Sequence, residues 1–195
     1  MIMERLEFMS ASKRDELVQK ALKIFYRDGF HATGMDTLVR ETGISKTSMY
    51  KHFRSKEDLI LATLRLRDEQ FRFNFYRRVE ELATDPKDQL LAAFDALGEW
   101  FDEESFKSCM FIKASSEYQD KKHPIHAAAA EHKRLLAVYF EDLATKAGLA
   151  EPEALARQLL MLAEGAIVIA HLHGLENTAS DAKMSAKVLI DAAVL

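Results

Sequence analysis

Cysteine is nearly missing from this chain. Cys109 is the one thiol among 195 residues, so no disulfide can close within it, and no Cys/His spacing of the zinc-finger type can be drawn. No stretch approaches about 20 uncharged apolar residues, which argues against a membrane span. The first residues, MIMERLEFMSASKRDE, have neither the apolar core nor the small-residue cleavage site of a signal peptide, so a cytoplasmic location is expected. No segment alternates polar and apolar residues as a strand does, and the expected class is all-α. A nucleophile with an oriented base, a glycine-rich phosphate cradle and paired carboxylates are all missing, so no enzyme, cofactor or metal is expected.

What the chain does contain is an apolar content of 48%, enough for a real core, and an uneven distribution of charge. The net charge of −4 divides into +4 over residues 1–56 and −8 over the rest. That asymmetry fits a nucleic-acid-binding head on a non-binding body.

The basic part is organised around residues 35–53, MDTLVRETGISKTSMYKHF. Met35, Leu38 and Val39 recur as one helical stripe, and Gly43 can take the left-handed conformation of a helix C-cap. Ser45 can cap a second helix from Lys46 to Phe53. On that second helix Met49 and Phe53 share one side and plug the angle with Ile44. Lys46, Thr47, Ser48, Tyr50, Lys51 and His52 lie elsewhere, offering cations and hydroxyls suited to phosphate oxygens and base edges. The pattern reads as a helix-turn-helix.

Residues 13–64 resemble the DNA-binding domain of the TetR (tetracycline-repressor-like) family of transcriptional regulators. The resemblance is carried by Ala21, Leu22 and Phe25, Gly29-Phe30, Thr33, Met35, Leu38, Thr42-Gly43-Ile44-Ser45, Met49-Tyr50, His52-Phe53 and Ser55-Lys56-Glu57-Asp58-Leu59. Gly34 departs from it, since the family more often has Ser or Thr as the cap there. The resemblance implies a homodimer joined by its last two long helices, with two heads on the halves of a pseudo-palindromic operator. It also implies an effector cavity among the middle helices of each body.

In chain order, residues 1–11 are expected to be a flexible arm, in which Arg5 is more readily solvated than bound to DNA. Residues 12–56 are the expected DNA-binding domain, with a first helix from the Ser12 capping box to Asp28, ended by Gly29. Residues 57–195 are the expected ligand-binding and dimerisation domain. It opens with a rod of about 27 residues from the Ser55 capping box, or about 40 Å at 1.5 Å per residue. Phe71, Phe75 and Leu82 should pack on the body, with Phe73 and Tyr76 on other faces. Further helices are expected from Pro86, over 106–118, from Pro124 to Lys146, over 153–173 and over 179–194. The sequence LLMLAEGAIVIAHL is apolar nearly all round, as a helix covered on two sides would be.

The expected DNA contacts are Thr33, Lys46, Thr47, Ser48, Tyr50, Lys51, His52 and Lys56, with Thr47, Ser48 and Lys51 as base readers and the others on the backbone. The expected effector contacts are Phe75, Phe94, Trp100, Phe101, Cys109, Phe111, Tyr139 and Phe140, a set favouring a largely apolar ligand; an aromatic stripe at this spacing equally fits a core. Cys109 among Met110 and Phe111 reads either as a small buried hydrophobe or as a thiol switch beside a cation. The histidines at 123, 126, 132, 171 and 173 lack dependable ligand spacing. The expected function is a repressor released from DNA when an effector tilts the two rods. The alternative is a helical small-molecule-binding or redox-sensing protein whose helix-turn-helix is not used on DNA.

Overall fold

The structure is a computed structural model that describes residues 12–174 and 176–194. The expected N-terminal arm, with Arg5, lies outside the described residues. Among the described residues every regular element is an α-helix: α1 (Lys13–Asp28), α2 (Met35–Thr42), α3 (Lys46–His52), α4 (Lys56–Leu82), α5 (Pro86–Phe101), α6 (Met110–Glu117), α7 (Pro124–Lys146), α8 (Pro152–His173) and α9 (Thr178–Ala192). The protein is all-α, with an N-terminal helix-turn-helix and a larger helical body.

The caps act where the sequence puts them. Ser12 Oγ accepts from the Asp15 amide at 3.2 Å, and Ser45 Oγ from the Ser48 amide at 3.2 Å. Ser55 Oγ accepts from the Asp58 amide at 3.1 Å, while the Asp58 carboxylate accepts from the Arg54 amide. Gly43 closes α2 at φ +70°, its N–H bonded to the Val39 carbonyl. Pro86 and Pro152 sit at helix starts, where a missing N–H costs nothing.

Several helix ends differ from the sequence reading by one or two residues, among them the end of α9 at Ala192 rather than 194, and two differences have a visible local form. α3 stops at His52, and Phe53 is extended. The segment expected to be helical from Phe106 becomes helical only at Met110, because Ser108 takes φ +68°, which an L-residue cannot hold inside a right-handed helix.

By its internal contacts the chain forms two compact units. Of the described residues, one unit comprises 12–67 with 113–128, the other 68–112 with those from 129 onward. In the first, Leu17, Ala21, Phe25, Phe30, Leu38 and Met49 are almost fully buried, together with Leu59 and Ile60 from the start of α4. Burying side chains of this size contributes roughly 1.5–3 kcal/mol each, and that is what holds three short helices together.

In the second unit α5, α8 and α9 pack together. Leu90, Phe94 and Leu97 of α5, Leu155, Leu159 and Ile167 of α8, and Ala186 and Ile190 of α9 are buried. α8 is by length and composition apolar enough to cross a bilayer. Here one of its faces packs in the unit and another stays bare. Met161 and Leu172 are 67% and 65% exposed, Met184 and Val188 on α9 62% and 69%. A Cβ added at Gly165 would meet nothing within 4 Å. On α4, Phe75 is buried as expected, whereas Leu82 is exposed, as is Phe73.

Candidate nucleic-acid interface

α3 divides cleanly by face. Met49 is 1% exposed and holds the helix against α1 and α2. Lys46, Thr47, Tyr50, Lys51 and His52 are exposed, and Ser48 is half-buried with its amide donated to the cap. Tyr50 presents 48% of its surface, a large amphipathic ring. α3 carries no acidic residue; among the described residues the carboxylate that reaches it is Asp36, 3.6 Å from the Lys46 ammonium. The face is a small cationic, hydroxyl-bearing surface of the kind that phosphates and base edges accept.

Thr33 and Lys56 are placed differently from the other six. Thr33 is 1% exposed, and its hydroxyl donates to the Gly29 carbonyl at 2.7 Å. Lys56 Nζ donates to the carbonyls of Phe30 at 2.9 Å and Thr33 at 3.2 Å. Both polar groups thus serve the turn between α1 and α2. The sequence signal alone could not separate them from DNA contacts.

That turn is held from a further direction. Glu117, at the end of α6, accepts from the amides of both Phe30, at 3.0 Å, and His31. Lys113, one helical turn earlier, donates to the Tyr26 carbonyl at 3.0 Å and lies over the Tyr26 ring. Tyr118 meets Phe30 edge-on and packs against His31, and His123 stacks on Tyr118. Sequence reasoning had no local signal for the Glu117 contacts, which span 87 and 86 positions.

The expected effector residues fall largely into one aromatic network in the second unit. Phe71 joins it together, stacked with Phe75 at 5.4 Å and edge-on to Trp100 at 5.4 Å and His132 at 5.6 Å. Trp100 continues to Phe101, Phe75 to Tyr139, and Tyr139 to Phe140, while Phe111 stacks on His132 at 3.7 Å. Phe94 and Phe140 are 0% and 2% exposed and pack as core.

The network's polar members were not legible beforehand. His132 Nδ1 meets Asp68 Oδ1 at 2.7 Å, and Asp68 also accepts from Arg72 Nε and Nη2. Burial holds the His132 pKa down to about 4, the Asp68 hydrogen bond opposing it. The imidazole is kept neutral mainly by that burial, with the nearby Lys133 and Arg72 cations acting in the same direction. Tyr76 stacks on Tyr139 at 3.8 Å, and the buried Tyr139 hydroxyl has no hydrogen-bond partner among the described residues. Cys109 accepts from Lys133 Nζ at 3.2 Å, and the same ammonium bonds Glu164 at 2.6 Å.

A family model described as "Bacterial regulatory proteins, tetR family" matches residues 17–63, the stretch that forms α1–α3 and the start of α4. A crystal structure of a TetR-family transcriptional regulator from Streptomyces coelicolor superposes with a TM-score of 0.84 at 26% identity, covering 92% of this chain and 95% of that one. The chain belongs to the TetR family of transcriptional regulators. Among curated TetR-like relatives, the HTH-type transcriptional regulator YjdC of Escherichia coli is 25% identical over 80% of this chain and 81% of its own length. The HTH-type transcriptional repressor KstR2 of Mycolicibacterium smegmatis is 36% identical over 45% of this chain and 44% of its own. As a TetR-family protein the chain is a DNA-binding regulator of transcription, and its α3 corresponds to the second helix of the helix-turn-helix.

Proposed function

We propose that this regulator binds a pseudo-palindromic operator as a homodimer, represses the genes there, and leaves the DNA when a small, largely apolar effector occupies the second unit. The observation that carries the reading is the division of α3: Met49 buried, and Lys46, Thr47, Tyr50, Lys51 and His52 free to enter a major groove. Thr47, Ser48 and Lys51 read bases; Lys46, Tyr50 and His52 hold the backbone; Thr33 and Lys56 support the turn that precedes α2.

The bare faces of α8 and α9 support the dimer. Met161, Gly165, Ile169 and Leu172 follow one another along α8 at helical spacing, and Met184 and Val188 do so along α9. Apolar surface of this kind, continuous along two helices, marks a partner site, and a second copy matches it by two-fold symmetry. The effector reading rests on the aromatic network, whose few polar groups are the neutral His132 imidazole and the unpaired Tyr139 hydroxyl. Occupation that favours one arrangement of the dimer changes the spacing of its two heads, and the difference in affinity between the arrangements releases DNA.

Selection of duplexes from fragmented genomic DNA by the purified protein, with Tyr50→Ala alongside, tests the reading. An enriched inverted repeat that the variant fails to retain is the expected result. Failure to enrich any sequence at low salt would overturn it.

A further inference from the structure

The turn from Gly29 to Thr33 joins α1 to α2, so its conformation sets how the helix-turn-helix is presented. Gly29 sits at φ +86°, outside the range of L-side chains, and Phe30 is fully buried. Phe30 and Thr33 are buried while His31 and Ala32 are exposed, and the backbone groups of this half-buried turn are nevertheless paired by side chains. The carbonyls of Gly29, Phe30 and Thr33 are taken by Thr33 Oγ1 and Lys56 Nζ, all within the helix-turn-helix and the start of α4. The amides of Phe30 and His31 are taken by Glu117, each by its own carboxylate oxygen.

Two oxygens on two successive amides fix both the distance and the rotation of the carboxylate, and hydrogen bonds to an ionised acceptor are the stronger kind. Lys113 acts one turn earlier on the same face of α6. Its ammonium reaches the Tyr26 carbonyl in the last turn of α1, the end of a helix where a cation is favoured. An anion therefore sits on the free amides of the turn and a cation on the end of the helix before it. The fit is close, since a Cβ at Gly29 would come within 3.0 Å of Glu117 Oε1.

We propose that Glu117 is a positioning residue for DNA recognition, with Lys113 as its helper. By fixing the Phe30 and His31 amides it sets the angle between α1 and the α2–α3 pair, and so the fit of α3 to its operator. Glu117 touches no base or phosphate; it acts through the turn. The inference rests on the DNA-binding reading above.

The test uses the full-length protein and the duplex that it enriches, with a scrambled duplex of equal length at the same salt. Glu117→Gln keeps the shape and one acceptor, but faces the other amide with an NH2 group. The expected result is about tenfold weaker binding to the enriched duplex with less than twofold change on the scrambled one, as a lost fit rather than a lost charge requires. Amide exchange should quicken at Phe30 and His31 while the rest of the chain keeps its protection.

Lys113→Met, which retains the apolar stem, should weaken binding to the enriched duplex in the same direction by a smaller factor. An equal loss on both duplexes would mean that Glu117 only stabilises the head, and undiminished binding by both variants would mean that the turn needs no clamp; either overturns the proposal. A wild-type protein that binds no duplex would overturn the DNA-binding reading as well, a result distinct from either of these.

Discussion

Asp68 and His132, 64 positions apart, meet at 2.7 Å, and the carboxylate is already matched by Arg72 on the next turn of α4. The imidazole is almost fully buried, and that burial leaves it without a charge of its own. Its pKa is held at about 4 by burial, against an ordinary value of 6.5.

The consequence is acid sensitivity. Below pH 6.5 the unfolded chain takes up a proton that the folded one refuses. The contribution of His132 is thus complete above about 6.5 and is lost as the pH falls toward 4, by up to about 3 kcal/mol. Asp68, also held below its ordinary range, acts in the same direction at still lower pH. Urea unfolding at pH 7 and pH 5 should show the loss, and His132→Gln should flatten it.

The ammonium of Lys133 lies between Glu164 and Cys109 with about a fifth of its side chain exposed. Lys133→Met should cost about 2 kcal/mol, because it leaves the Glu164 carboxylate, about a fifth exposed, without its cation. Replacing Glu164 by Leu as well should recover most of that loss. Denaturant midpoints of the two single variants and the double variant measure the coupling.

Tyr139→Phe removes a buried hydroxyl that has no partner. The variant should be as stable as the parent or more so, by about 1 kcal/mol, since nothing is lost but a desolvated polar atom. Thermal unfolding in the absence of effector checks this.

Lys46→Ala removes an exposed cation from the solvent side of α3 and should leave stability within about 0.5 kcal/mol. If Lys46 neutralises one phosphate, as proposed, the slope of log affinity against log salt should become shallower by about 0.9. Titrations of labelled duplex at several salt concentrations give the slope.

Val188→Glu and Met161→Glu put charges on the bare faces of α9 and α8. Both residues are about two-thirds exposed in the single chain, so neither change disturbs its fold. Sedimentation should show the parent as a dimer and the variants shifted toward the monomer, with weakened binding to an inverted repeat.

The helices were legible because their ends are decided locally. Ser12, Ser45 and Ser55 cap through their own hydroxyls, Gly29 and Gly43 adopt conformations that other residues avoid, and Pro86 and Pro152 mark helix starts. The start of α6 was not, because the positive φ of Ser108 leaves no mark in the residues around it. The exposed side of α3 could be read from spacing. The commitment of Thr33 and Lys56 to a turn could not, because it depends on which carbonyls the fold leaves unpaired. Phe71, Phe75 and Trp100 announced an apolar body by composition; Asp68, His132 and Lys133 gave no such notice, since charged residues on long helices are usually solvated and only packing distinguishes these.

The segment 113–128 folding with the helix-turn-helix changes what a transferable DNA-reading module from this protein would have to contain. A hybrid regulator joined at the end of residue 67 would inherit the reading helix and leave behind the carboxylate that closes the turn before it. If Glu117 positions the turn as proposed, such a hybrid would present its reading helix unchanged only when the receiving body supplied an acid in the place of Glu117. Compatibility of this head with a foreign body would then be set by a residue that lies, in sequence, outside the helix-turn-helix.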